Sequence, residues 1–165
     1  MKRVPVTGTE KKMLQVSLDR HRDVVVWKIE GLDDEQVRRQ LVPSGTSMLG
    51  VVKHLAAVEY GWFGLQFERE HEPLPFDEDD EDADFRVGAG ETTEEVLAFY
   101  ERARTFADKT IDELDVDATG AGWADRELSL RWVLIHMIEE TARHAGHMDI
   151  LRELVDGTAG YHPGD

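Results

Sequence analysis

The chain has 165 residues, enough for one compact domain with its own core, and no cysteine, which excludes a disulfide framework, a thiolate metal site and a cysteine nucleophile. Its 19 Lys and Arg stand against 35 Asp and Glu, and a formal charge of −16 repels the phosphate backbones that a nucleic-acid binder must attract. No apolar run is long enough to span a bilayer, and charges rather than an apolar stretch follow Met1-Lys2-Arg3-Val4-Pro5, so no secretory signal is visible and a cytoplasmic location is expected.

The first predicted helix runs from about Thr9 to Ile29, with Leu14, Leu18, Val25 and Ile29 on one face. Gly31 ends it, and a short extra turn is expected between Asp33 and Leu41. The loop Pro43-Ser44-Gly45-Thr46 leaves Thr46 or Ser47 as N-cap of a second helix. That helix is expected from Ser47 to about Glu70, with Met48, Val51, Leu55, Val58, Trp62 and Leu65 on one face. Gly50 and Gly61 weaken it slightly but permit close approach by a neighbour.

Residues 71–91 break the pattern with Pro73, Pro75, Gly88 and Gly90, and seven of the eight residues from Asp77 to Asp84 are acidic. The run lacks the central glycine and closing glutamate of an EF-hand, so it reads as a solvated loop whose flanking Phe76 and Phe85 anchor it to the bundle. Thr92-Thr93-Glu94-Glu95 is a capping-box signature opening a third helix that continues to about Leu114. A loop from Asp115 to Glu127 leads to a last helix from near Ser129 to Val155, closed by Gly157. No strand pair, repeat or linker is evident, and residues 1–165 read as a single all-α domain, a four-helix bundle with an acidic loop near 71–91.

The last helix carries His136, Glu140, His144 and His147 within roughly an 80° arc. Val133, Met137 and Leu151 share the stripe, so it faces inward, where ionisable groups are costly unless compensated. The i, i+4 spacing lets one helix offer two ligands to one cation, with a hydrogen-bond network as the competing structural reading. His54, at the edge of the second helix's apolar face, supplies a candidate ligand from a second helix, as bundle metal sites require. Two imidazoles and one carboxylate would hold a divalent ion with open positions, a catalytic rather than a structural arrangement. Zn2+ fits best, and Ni2+, Fe2+ or Mn2+ could occupy the same set.

Either His136 or His147 could orient a ligand, shuttle a proton or line the pocket. Glu59, on the inward half of the second helix, could serve the site unless an arginine such as Arg131 or Arg143 claims it. Tyr60, Trp62 and Trp132 read as packing residues. His21 and His71 have no clustered ligands, and His162 falls in a tail.

Three segments carry a resemblance to the DinB-like metal-binding four-helix bundles, in particular an actinobacterial uncharacterised branch. They are Val42-Pro43-Ser44-Gly45-Thr46-Ser47, the stretch Val52-Lys53-His54-Leu55-Ala56-Ala57-Val58-Glu59-Tyr60-Gly61-Trp62, and the run from Leu130 through His136 to Glu139-Glu140-Thr141-Ala142-Arg143-His144-Ala145-Gly146-His147. The superfamily commonly uses one histidine from the second helix and two, spaced i, i+4, from the last. Here Glu140 stands in the first of those last-helix positions, and a similar His, Glu, His set occurs in the related mycothiol-dependent maleylpyruvate isomerase. The resemblance therefore selects His54, Glu140 and His144 as the metal ligands. Many relatives have glutamine where this chain has His147. The isomerase also has an additional C-terminal domain that helps form its active site, so isomerase activity is not expected of this chain.

Relatives of this kind use low-molecular-weight thiols such as mycothiol or bacillithiol, and a chain without cysteine must take its sulfur nucleophile from outside. The expectation is a metal-dependent thiol S-transferase or detoxification enzyme acting on a small-molecule electrophile, with His147 or His136 assisting proton transfer. Two other readings remain open: a metal-dependent hydrolase that activates water, with Glu59 or His147 as base, and a non-catalytic, metal-stabilised binding or stress-response protein. The resemblance also makes a homodimer an expectation.

Overall fold

A computed structural model describes residues 7–124 and 126–160; the Met1–Pro5 opening and His162 lie outside the described residues. Four long helices carry the fold, each begun by a side-chain cap. Helix α1 (Glu10–Trp27) starts where Thr9 accepts from Lys12 N, and the short α2 (Asp34–Arg38) starts at a reciprocal Asp33–Gln36 pair. Helix α3 (Met48–Phe63) starts where Ser47 accepts from Gly50 N, so Ser47 rather than Thr46 is its cap. Helix α4 (Thr93–Glu113) has the reciprocal Thr92–Glu95 box expected of its sequence. Helix α5 (Leu130–Asp156) runs from the Ser129 cap to Gly157, whose φ of 79° suits glycine and stops the helix.

The arrangement is the all-α bundle that the helical periodicities imply. Helix α3 packs mainly on α4 and also on α5, while α1 packs on α5. Nearly every α3 residue from Met48 to Gly61 is buried, because an almost uniformly apolar helix has no polar face to give to water. A single apolar face, as read from the sequence, therefore understates its position at the centre. No helix among the described residues is long and apolar enough to cross a membrane.

Two local features differ from the sequence expectation. Helix α3 ends at Phe63 instead of continuing to Glu70; a 3-10 turn, Leu65–Phe67, follows, and Glu68 adopts a left-handed φ of 52°. The turn aims the fully buried Gln66 into the following loop, where its amide donates to the Gly120 and Arg126 carbonyls and accepts from Ala124 N at 2.8 Å. One side chain thus satisfies several backbone groups of a segment with little regular structure of its own. The same segment contains an antiparallel pair, β1 (Thr119–Gly120) with β2 (Leu128–Ser129), where no strand was expected. Strands of two residues are too short to leave a period-2 signal.

A buried ion cluster joins α1 to α3 and α4. Arg22 is fully buried, grips both oxygens of Glu59, and also donates through Nη1 to Asp19 and Asp108 at 2.8 Å each. Burial pushes the Arg22 guanidinium toward neutrality, but Glu59 outweighs it and holds the group cationic.

Candidate metal centre

Helix α3 presents His54 toward α5, which presents Glu140 and His144 one turn apart. Glu140 Oε1 lies 3.2 Å from His54 Nε2 and 3.0 Å from His144 Nε2. The three ligand atoms all lie within 4.8 Å of one another. A tetrahedral ion with bonds of about 2.0–2.1 Å sets its donors roughly 3.3 Å apart, a spacing that both Glu140 contacts match. The side chains are largely but not wholly enclosed, at 12%, 20% and 10% exposure for His54, Glu140 and His144.

The other side of His54 is built by the acidic segment. Asp84 Oδ2 lies 2.7 Å from His54 Nδ1, and the Phe85 ring stacks on the His54 ring with centroids 3.9 Å apart and 15° between planes. Asp84 is buried, at the start of a route back from the loop through the 3-10 turn Ala83–Phe85. The run 77–84 is otherwise largely exposed, as its charge demands, so the expectation of a fully solvated loop fails at Asp84 alone. Among seven acidic residues nothing in the sequence distinguishes Asp84 except its place beside Phe85.

Both nitrogens of His54 therefore face carboxylate oxygens. A carboxylate only accepts, so satisfying both contacts without an ion requires a doubly protonated ring. Burial works against that charged ring, but the hydrogen bonds to Asp84 and Glu140 prevail and hold His54 above its ordinary range. Hydrogen bonds from His144 and then His54 hold the Glu140 carboxyl far below its ordinary value. The position between them is one where positive charge is favoured, which a divalent cation in place of the Nε2 proton would supply. His144 is held less fully, because no described residue faces its buried Nδ1. The donor chemistry, the spacing and the polarity all fit an ion.

Sequence reasoning singled out three further residues. His147 shares the arc of α5 but not the inward position expected of it: it is exposed, because it borders an open cavity instead of a packed neighbour, and its ring lies 5.3 Å from that of His144 and nearly perpendicular to it. It lines a cavity of about 250 Å3 with Val42, Ser44, Thr46, Ile150 and Leu151. Partial burial, then the neighbouring His144 and Arg143, push His147 below its ordinary range. His136 is clasped by aromatics: its ring stacks on Trp132 at 5.0 Å and meets Trp62 edge-on at 4.5 Å. Trp123 completes this cluster by lying over Gly61, where a Cβ would meet the indole at 2.2 Å. For Glu59 the arginine pairing anticipated as its structural reading is present, but with Arg22 of α1. Arg131 pairs with Glu10 and Asp117 instead.

Comparison with known proteins places this geometry in context. A family model described as mycothiol-S-transferase matches residues 13–157. No protein of curated function matches the chain. Among solved structures, the conserved protein of locus from Enterococcus faecalis superimposes with a TM-score of 0.65 at 13% identity, covering 92% of this chain and 100% of that one. At that identity the likeness concerns the fold.

Proposed function

Because the chain belongs to the mycothiol-S-transferase family, we propose that it is a metal-dependent S-transferase joining a low-molecular-weight thiol of the mycothiol type to a small electrophile. The observation that carries this reading is the convergence of His54 Nε2, His144 Nε2 and a Glu140 oxygen in a chain with no thiol of its own. His54, Glu140 and His144 would hold a divalent ion there, Zn2+ first and Ni2+, Fe2+ or Mn2+ as alternatives, which would supply Lewis acidity that favours the thiolate of an incoming thiol.

The remaining chemistry falls to the chain's own side chains. His147, neutral at pH 7 because its pKa is lowered, accepts the thiol proton on its imidazole from an exposed position beside His144. His136, held between Trp62 and Trp132 one turn before Glu140, serves packing rather than proton transfer. Glu59 holds Arg22 and takes no part in the reaction.

The test is conjugation of mycothiol to an alkylating electrophile, followed as loss of free thiol with the ion present, after chelation and after its return. Thiol loss that tracks the ion supports the assignment. No ion-dependent thiol consumption across a broad electrophile panel sinks it, and ion-dependent breakdown of an ester or amide without thiol would move the assignment to a hydrolase.

A further inference from the structure

Resting on the metal site proposed above, we infer that Asp84 is a positioning residue for that site, and that residues 80–86 form a strap whose docking on α3 sets the affinity for the ion. Three α3 residues receive the strap: Gly50, Lys53 and His54, which share one helical face through their i, i+3, i+4 spacing. At Gly50 the strap's backbone replaces a side chain, since a Cβ there would meet the Phe85 carbonyl oxygen at 2.3 Å. At Lys53 the ammonium donates to the Arg86 carbonyl at 2.7 Å and to Glu91 at 2.8 Å. At His54 the strap delivers both the Asp84 carboxylate and the Phe85 ring.

The strap is also braced within itself. Phe85 N donates to Asp82 O at 3.0 Å, Arg86 N donates to Ala83 O at 3.2 Å, and the Arg86 guanidinium is ion-paired with Asp80. These bonds hold Asp84 and Phe85 as one unit, so the carboxylate reaches His54 only when the whole unit is seated.

Asp84 acts through His54. By accepting from Nδ1 it holds a proton there, so that once an ion takes the place of the Nε2 proton the lone pair is directed toward the Glu140 side and the ring is a stronger donor. His144 has no such support, as its Nδ1 faces no described partner. The ordering of the site therefore falls mainly on His54, and through it on a loop that touches no ion. Linkage is reciprocal: whatever the seated strap contributes to ion affinity, the ion returns to the strap.

The experiment uses the full chain freed of metal, with Zn2+ affinity measured by competition against a chromophoric chelator. Asp84→Ala is expected to weaken Zn2+ binding about 10- to 100-fold, with Asp84→Asn, which keeps an acceptor, between it and the wild type. Gly50→Ala, which touches no ligand, is expected to weaken binding by roughly tenfold by unseating the strap. Should Gly50→Ala fail to fold, Arg86→Ala removes the exposed Asp80 brace instead and is read in the same way. In the wild type Zn2+ should slow hydrogen exchange of the Phe85 and Arg86 amides. In the Zn2+-bound protein the His54 ring 15N shifts should report a fixed Nδ1 proton that Asp84→Ala loses; a merely structural Asp84 would leave that tautomer in place.

Zn2+ affinities within twofold of wild type for Asp84→Ala and the strap variant, or exchange at residues 85 and 86 indifferent to Zn2+, overturn the inference. If the wild type binds Zn2+ and only the variants fail to differ, the strap falls and the metal site stands. If the wild type binds none of the four candidate ions, both fall together.

Discussion

Arg22 meets Glu59 through two parallel hydrogen bonds, Nε to Oε1 at 2.7 Å and Nη2 to Oε2 at 2.6 Å, with both side chains buried between α1 and α3. Such a pair is costly to break from one side, because the surviving charge stays buried without a counterion. Arg22→Met should therefore destabilise the fold by about 3–5 kcal/mol in a urea titration, and adding Glu59→Leu should recover much of that loss. An Arg22→Met protein as stable as the wild type would return Glu59 to consideration as a group free for chemistry.

Removing a ligand should remove the ion. Protein purified without a histidine tag is expected to carry about one divalent ion per chain, the content of a single three-ligand site. His54→Ala and His144→Ala should each abolish it, while the bundle persists because neither side chain belongs to its apolar core. Elemental analysis reads the result directly, and unchanged metal content in both variants would dispose of the centre.

The pH dependence should change sign with the ion. Without metal, the raised His54 pKa contributes stability that is complete below its ordinary 6.5 and is lost as pH rises through the folded value above that. Glu140, lowered from 4.5, contributes stability present above that value and lost as pH falls through its depressed folded value. The pair thus favours the ion-free fold most between the two ordinary values. With metal, protons on His54 compete for the same nitrogen, so affinity falls as the pH drops below the raised His54 value. The increase in Tm produced by Zn2+ should be larger at pH 8 than at pH 6, and calorimetry showing the reverse order would contradict the assignment of His54 Nε2 as a ligand.

His147 offers a way to separate chemistry from metal binding. His147→Ala should keep its ion, since the ring lies outside the three-atom cluster. It should lower kcat for thiol transfer by about 10²- to 10⁴-fold at neutral pH, the usual contribution of a positioned general base. Restoring much of the rate by raising the pH, where the thiol ionises unaided, would mark the lost group as a proton acceptor. Loss of metal in this variant would instead make His147 a ligand.

What could be read from the sequence depended on how local the cause was. The starts of α1 and α5 near Thr9 and Ser129, the Thr92–Glu95 box of α4 and the Gly157 stop of α5 are legible because such end signals act within a few residues of themselves. The pairing of Glu140 with His144 on α5 is legible for the same reason, since the two are one turn apart and need only the helix to meet, whereas His147, read onto the same inward stripe, is exposed because burial depends on what packs against that end of the helix. The termination of α3 at Phe63 is not legible, because it answers to a distant loop that Gln66 must reach. Asp84 is hidden for a different reason: its neighbours are acidic too, and only the docking of Phe85 on His54 singles it out. Arg22 as partner of Glu59 lies 37 residues away in the chain, with no periodicity linking the two.

His54 and Glu140 are 86 positions apart, whereas Glu140 and His144 are neighbours on one helix. A nascent α5 can present two donors early, but the third arrives only when the middle of the chain has folded back onto the last helix. Capture of an ion at this site would thus be a late event in the life of each molecule, a seal on a finished topology rather than a seed for it. Metal supply should then govern how slowly the protein comes apart, with little influence on how quickly it comes together.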